Sequence, residues 1–241
     1  MPVSAYGLTV LACGAGPAPR LARAFAARGR SVALISDATE VAAPGLWAQS
    51  CRFDNAQAVH QAMALAAEQV GGLQEVVISV LPPSTLQATE LNAMPAADWQ
   101  SVHVAFKPAL YGLQAVSRLA TGPCAVTLMG PNVSMIGAPG LVPLCTAVEA
   151  QRALMKSAAR QLGARGIRIN WLGIGSTEFD AAFENLTLPA VPELGPPPPA
   201  LGRRIDIEAD VLPALEFLCG PAACGLTGHT MNIDGGDWML P

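Results

Sequence analysis

Charged side chains are scarce in this sequence: they make up 13% of its 241 residues, whereas hydrophobic residues make up 51%. This composition argues against an intrinsically disordered chain and supplies a large hydrophobic core. The net charge is −4 and the basic residues form no stripe, which argues against a nucleic-acid partner. No uninterrupted apolar run reaches the roughly 18 residues that a membrane span requires, so we do not expect the chain to be a membrane protein.

The cysteines form neither a Cys-x-x-Cys pair nor a Cys/His cluster, which argues against a zinc site. Scattered cysteines are typical of reduced thiols, so we expect a cytoplasmic protein. The first 19 residues lack charged side chains, which invites comparison with a secretory signal peptide. We interpret them instead as leading into the first strand, because no basic segment precedes the apolar run and a glycine turn follows it.

Short apolar segments alternate with longer amphipathic ones along the chain. The apolar segments predict strands near 7–12, 31–36, 75–81, 124–129, 166–173 and 229–233, with a weaker strand at 50–53. Between them, helical spacing predicts several helices, including long ones at 98–120 and 143–163. Regular alternation predicts an α/β fold: one Rossmann-like domain over 1–241, whose doubly wound, mainly parallel seven-stranded sheet has helices on both faces.

A proline-rich segment at about 178–203 interrupts this alternation after the sixth predicted strand. It contains four consecutive prolines and little charge. Because ligands of doubly wound sheets bind beyond the carboxyl ends of the strands, the segment is a candidate lid or partner contact. A plain surface loop is the alternative.

The first predicted strand runs into CGAGPAP, which has the strand, glycine turn and helix layout of a phosphate-binding loop. However, Pro17 and Pro19 stand where such a loop offers backbone N–H groups to a phosphate, and proline has none. We interpret the turn as a phosphate loop that has lost its function. We therefore expect no tightly bound cofactor, and NAD if any.

The order of these parts resembles the short-chain dehydrogenase/reductase family over nearly the whole chain. The matching segments are FDNAQAVHQAMALAAEQVGGLQEVVISV, GIRIN at 166–170, and LGRRIDIEADVLPALEFLCG followed by GLTGHTMNIDGG. The resemblance implies an oxidoreductase fold with an Asn, a Ser and a Tyr-x-x-x-Lys pair that handle the substrate proton and, through the Lys, the cofactor ribose. The corresponding positions are Phe106, Pro131, Leu144 and Val148. None of these side chains transfers a proton, and the sequence has only two tyrosines, Tyr6 and Tyr111, so we expect no dehydrogenase activity in the isolated chain.

The cofactor positions implied by the resemblance are also altered. The family's Asn-Asn-Ala-Gly after the fourth strand reads Ile78-Ser79-Val80-Leu81, and a leucine in place of glycine would occupy space that the nucleotide needs. An acidic residue at the end of the second strand would favour NAD over NADP. The cofactor positions that remain are Gly14 and Gly16 in the turn, Asp37 or Ser36 near the ribose, Asp54 near the adenine and Thr177 near the nicotinamide.

Other reactive side chains lie near the altered positions. They are Asn132, Ser134, Cys145 and Glu149, together with His103 and Lys107 on one predicted helix. A Cys/His nucleophile pair or a Glu acid/base would require the fold to bring these groups together. The alternative is ordinary structural use, with a buried thiol and solvated helix faces.

Family members pack the helices that correspond to 98–120 and 143–163 against the same helices of a second subunit. The side chains that suit this packing are Phe106, Leu110, Tyr111, Ala153, Leu154, Ala158 and Ala159. We therefore expect a homo-oligomer, or a hetero-oligomer with an active homologue, in which this chain is a non-catalytic subunit. A benzylsuccinyl-CoA-type dehydrogenase with one altered subunit is the example that the resemblance suggests. The alternatives are an NAD(P)-dependent oxidoreductase with an atypical active site and a cofactor-free small-ligand binder or enzyme.

Overall fold

The computed structural model describes residues 6–39, 42–186 and 199–239. One sheet contains the strands β1 (Leu8–Gly14), β2 (Val32–Ser36), β3 (Leu46–Ser50), β4 (Glu75–Leu81), β5 (Cys124–Pro131), β6 (Ile167–Ile174) and β7 (Thr230–Ile233). Their order across the sheet is β3-β2-β1-β4-β5-β6-β7. Each neighbouring pair is parallel, which confirms the predicted fold class and makes the sheet fully rather than mainly parallel.

Helices connect most of the consecutive strands, as parallel pairing requires. The helices of the described residues are α1 (Ala18–Ala27), α2 (Ala56–Val70), α3 (Ala96–Ala105), α4 (Lys107–Leu119), α5 (Val133–Ile136), α6 (Val142–Leu162), α7 (Ser176–Phe179) and α8 (Leu212–Cys219). α2, α4 and α6 pack beside one another, while α1 and α8 both contact the π-helical turn at Ile207–Val211. None of these helices is long and apolar enough to cross a membrane.

The central strands are buried along almost their whole length, because helices cover both faces of the sheet. An ion pair lies inside this core, near the amino ends of β1 and β4. Arg30 Nη2 is 2.6 Å from Glu75 Oε2, and the two side chains are 2% and 4% exposed. Arg30 also donates to the Tyr6 carbonyl oxygen and lies over the Phe25 ring. These contacts join the start of β4 to the segment between α1 and β2.

Most predicted strands differ from the structure by one or two residues at an end, and two predicted elements differ by more. The weak third strand is β3 at 46–50, not 50–53, since it is Leu46–Ser50 that pairs with β2. The predicted helix 98–120 is two helices that meet at Phe106. Pro108 explains the break, because it has no N–H to donate to the Val104 carbonyl and its ring crowds the preceding turn. Of the proposed lid at 178–203, residues 187–198 lie outside the described residues.

Candidate functional site

The carboxyl ends of the central strands meet at one edge of the sheet, where doubly wound folds bind their ligands. The β1–α1 turn lies at this edge beside the end of β4. Across the edge, α7 follows β6 after the single linking residue Gly175. The candidate site is therefore built from the β1–α1 turn, the β4 end and α7.

In the first half of the turn, the backbone N–H groups donate hydrogen bonds to other parts of the chain. Gly14 has a φ of +78°, and a Cβ there would overlap the Leu81 carbonyl, so the position requires glycine. The Gly14 N–H donates to both carboxylate oxygens of Asp37, at 2.9 and 3.1 Å. The Ala15 N–H donates to the Leu81 carbonyl at 2.8 Å. These two amides already have acceptors, so neither is held ready for a phosphate.

The second half of the turn faces an aromatic ring. Gly16 has a φ of +129°, and a Cβ at this position would lie 2.7 Å from Cζ of Phe179, the last residue of α7. The Phe179 side chain is only 2% exposed. α1 then begins with Pro17 as its N-cap, and Pro19 follows in its first turn. The turn thus presents a glycine that approaches a phenyl ring and two positions without an N–H.

The four positions matched to catalytic residues are placed as follows. Leu144 and Val148 lie on α6 and are 0% and 1% exposed. Pro131 ends β5, and Phe106 joins α3 to α4. A Cβ at Gly130 would lie 2.6 Å from the Trp171 ring and 3.3 Å from Val148, so these side chains crowd one point. Apolar packing therefore occupies the α6 face at 144 and 148.

A buried polar network anchors α7 at the same edge. The Asn132 side chain, 1% exposed, donates from Nδ2 to Asp234 Oδ2 at 2.9 Å. Its Oδ1 accepts from the Ser176 hydroxyl at 3.0 Å, and that hydroxyl oxygen accepts from the Val133 N–H at 3.3 Å. Asp234 Oδ1 accepts from the Gly236 N–H at 2.9 Å. The network ties the ends of β5 and β7 to the first residue of α7.

A second polar group lies along α6. Ser134 Oγ donates to Glu149 Oε1 at 2.9 Å, and Glu149 Oε2 accepts from Arg152 at 2.8 Å. Arg152 also donates to Thr230 Oγ1 at 3.1 Å. Both oxygens of the Glu149 carboxylate therefore have partners inside the chain. The arrangement links α5, α6 and β7.

The proposed Cys/His pair receives no support from the geometry. Cys145 Sγ lies 3.9 Å from the Val133 carbonyl oxygen, and burial raises the pKa of this thiol to about 11. The thiol is therefore protonated at neutral pH and is a weak nucleophile. His103 packs edge-on against Phe106, with ring centroids 5.6 Å apart, in a groove between α3 and α6 that also includes Trp99.

The remaining cofactor positions have partners of their own. Asp37 holds the Gly14 amide, and burial together with this carboxylate raises the pKa of Cys13 to about 12. Asp54 pairs with Arg52 at 3.3 Å and accepts from the Asn55 side chain at 2.8 Å. Thr177 lies in the middle of α7, partly buried. The structure brings the turn and α7 together, whereas Asp54 lies beside the α2 cap.

Sequence reasoning missed two residues of this edge. Phe179 fell inside the segment interpreted as a lid, but nothing in its local pattern indicates that its ring meets Gly16. Trp171 follows the recognised GIRIN segment and reads as an ordinary strand residue. The Asn132–Asp234 pair has a partial signal in the sequence, because Asp234 lies in the segment GLTGHTMNIDGG that resembles the family.

Comparison with known proteins identifies the family. Residues 12–237 match the family model described as enoyl-(acyl carrier protein) reductase. The chain belongs to the short-chain dehydrogenase/reductase family. A short-chain dehydrogenase of Pyricularia oryzae is 33% identical over 114 residues, which are 46% of this chain and 40% of that protein. The enoyl-(acyl-carrier-protein) reductase (NADH) FabI of Haemophilus influenzae is 27% identical over 168 residues, which are 66% of this chain and 61% of that protein. The alignments thus span about two to three fifths of these relatives' lengths.

Solved structures agree with the family fold over nearly the whole chain. A short-chain dehydrogenase/reductase from Serratia marcescens has a TM-score of 0.78 at 20% identity and covers 98% of this chain and 99% of that one. A dehydrogenase/reductase from Sinorhizobium meliloti has a TM-score of 0.75 at 24% identity and covers 98% and 96%. At these identities the likeness concerns the fold alone, so the function depends on the site's own residues.

Proposed function

We propose that the chain is a catalytically degenerate short-chain dehydrogenase/reductase that acts as a non-catalytic subunit of an oligomer. The observation that carries the proposal is the burial of Leu144 and Val148, at 0% and 1% exposure, where the family resemblance places the proton-transferring Tyr and Lys. Neither side chain exchanges a proton or donates a hydrogen bond. The fold is retained, while apolar side chains packed in the core stand where the family has its proton-transferring groups.

The turn supports the same proposal for the cofactor. Within residues 14–19, two amides donate inside the chain and two positions are prolines. A dinucleotide pyrophosphate is normally bound by such amides at the start of the helix. The residues present do not fit this role, so no step of a hydride transfer is assigned to the chain.

The purified chain should lack dehydrogenase activity. Loss of general acid–base catalysis alone costs about a thousandfold in rate. Turnover of secondary alcohols with NAD⁺, and of the corresponding ketones with NADH, should therefore remain at the background of a heat-inactivated sample. Calorimetric titration with NAD(H) and NADP(H) should give no binding heat at about millimolar cofactor. A micromolar dissociation constant or robust turnover would contradict the proposal.

The outer surfaces of α4 and α6 should form a subunit interface. Leu110 and Leu154 are partly exposed there, whereas Ala159 is 4% exposed and packs inside the chain, so it is withdrawn from the expected contact set. Burying a charge at position 154 should cost about 3 kcal/mol of association, or about a hundredfold in the dissociation constant. Leu154→Glu should therefore sediment as a smaller species than the wild type.

The matched control is Gln61→Glu, which adds the same charge at an exposed position of α2 and should leave the sedimentation coefficient unchanged. A wild type that sediments as a monomer at about micromolar concentration, with no homologue present, would rule out self-association through this surface. Native mass spectrometry of protein purified from its own host then distinguishes a homo-oligomer from an assembly with an active homologue.

A further inference from the structure

We infer that Phe179 plugs the dinucleotide crevice of this chain, so that the site is closed by one of its own side chains. The inference deepens the proposed function, because it names the group that occupies the place of the cofactor. In the doubly wound fold, the pyrophosphate lies over the glycine turn at the start of the first helix. In this chain that place is beside Gly16, and the Phe179 ring fills it.

The contacts around Gly16 define the plug. A Cβ at Gly16 would be 2.7 and 2.8 Å from two ring atoms of Phe179, and 3.2 Å from Ser79 Oγ at the carboxyl end of β4. The phenyl ring and the Ser79 hydroxyl therefore flank the same point. Ser79 is 1% exposed, and its Oγ has no hydrogen-bond partner among the described residues. A buried hydroxyl without a partner is costly, and here the group that faces it across Gly16 is an apolar ring.

The plug is held from both ends of α7. At the start of the helix, Ser176 is bound to Asn132, which is itself bound to Asp234. At the other end, Arg204 pairs with Glu178 of α7 at 3.7 Å and with Glu184 at 2.6 Å. The buried network sets where α7 begins, and the exposed Arg204 pairs act as a latch beside the ring. Ser176, Glu178 and Phe179 belong to the same short helix, so the contacts at both ends of α7 fix the position of the ring.

A thiol placed under the plug tests this inference. Ser79→Cys changes only the γ atom, from oxygen to the somewhat larger sulfur, and introduces a thiol next to the Phe179 ring. Labelling by N-ethylmaleimide, quantified by peptide mass spectrometry, reports how often that thiol is uncovered. Exposed Cys224 provides the reference for a free thiol, and buried Cys124 reports global unfolding in the same sample. With Phe179 present, the introduced thiol should react at least about a hundredfold more slowly than Cys224.

Adding Phe179→Ala should raise labelling at position 79 by at least about tenfold while Cys124 stays protected. Phe183→Ala, a partly buried phenylalanine of the neighbouring turn, is the matched control and should change the rate by less than about twofold. Arg204→Gln leaves the core intact and should raise the rate about threefold by weakening the latch. This variant keeps the test decisive if Phe179→Ala does not fold.

Equal labelling rates at position 79 in the Phe179→Ala and Phe183→Ala variants would overturn the plug. Labelling of Cys124 in step with position 79 would also overturn it, since the opening would then be global unfolding. The result is independent of catalysis. Dehydrogenase turnover by the wild type would refute the non-catalytic role, whereas thiol protection that does not depend on Phe179 would refute only the plug.

Discussion

Replacing Glu75 with glutamine should lower the free energy of unfolding by about 3 kcal/mol, because it leaves the buried Arg30 charge without a carboxylate. The two side chains are almost fully removed from solvent, and their 2.6 Å contact is the charge-assisted bond that compensates for burying the guanidinium. The phenyl ring of Phe25 and the Tyr6 carbonyl remain, but neither neutralises a full charge. Urea unfolding followed by circular dichroism measures the change.

Glu68→Gln is the matched control, since it makes the same chemical change at an exposed position of α2 and should alter stability by less than about 0.5 kcal/mol. The double variant Arg30→Met/Glu75→Leu removes both charges together. It should recover most of the lost stability, because packed apolar side chains replace a buried ion pair at little cost. A Glu75→Gln protein as stable as the wild type would mean that the pair contributes nothing in this core.

Restoring the family pair, Leu144→Tyr with Val148→Lys, should not produce dehydrogenase activity. The double substitution should lower the free energy of unfolding by about 3 kcal/mol or more. Val148 is 1% exposed and lies with the Trp171 ring beside Gly130, so a lysine there buries an ammonium among apolar groups. Leu144 is fully buried, and a tyrosine adds volume to a filled site. The altered cofactor turn is a second, independent obstacle to activity.

Thermal unfolding and a cofactor-dependent alcohol assay on the same preparation give both readouts. Ser157→Lys adds a lysine at an exposed position of α6 and should leave the melting temperature within a few degrees of the wild type. A double variant that melts with the wild type and oxidises an alcohol would show that the α6 face tolerates the catalytic pair. The degeneracy would then rest on those two positions alone.

The candidate site was only partly accessible from the sequence. The altered residues at 144 and 148 could be located because GIRIN at 166–170 sets a register along the chain, and the position at 131 follows from them. The burial of these residues could not be predicted, because it depends on which side chains of other elements pack against them. Phe179 meets Gly16 from more than 160 positions away. No local pattern encodes a contact between a turn after the first strand and a helix after the sixth.

The sequence by itself determined the alternating strands and helices, because apolar periodicity and breakers act locally, and it predicted β4 with its bounds at 75–81. It also carried the cause of the break at Phe106, since Pro108 cannot continue a helix hydrogen-bond ladder. The tertiary structure alone decided the placement of the third strand, whose residues are chosen by pairing with β2. It alone placed the Phe179 ring over the glycine turn, because that contact exists only once β1 and β6 are arranged in one sheet.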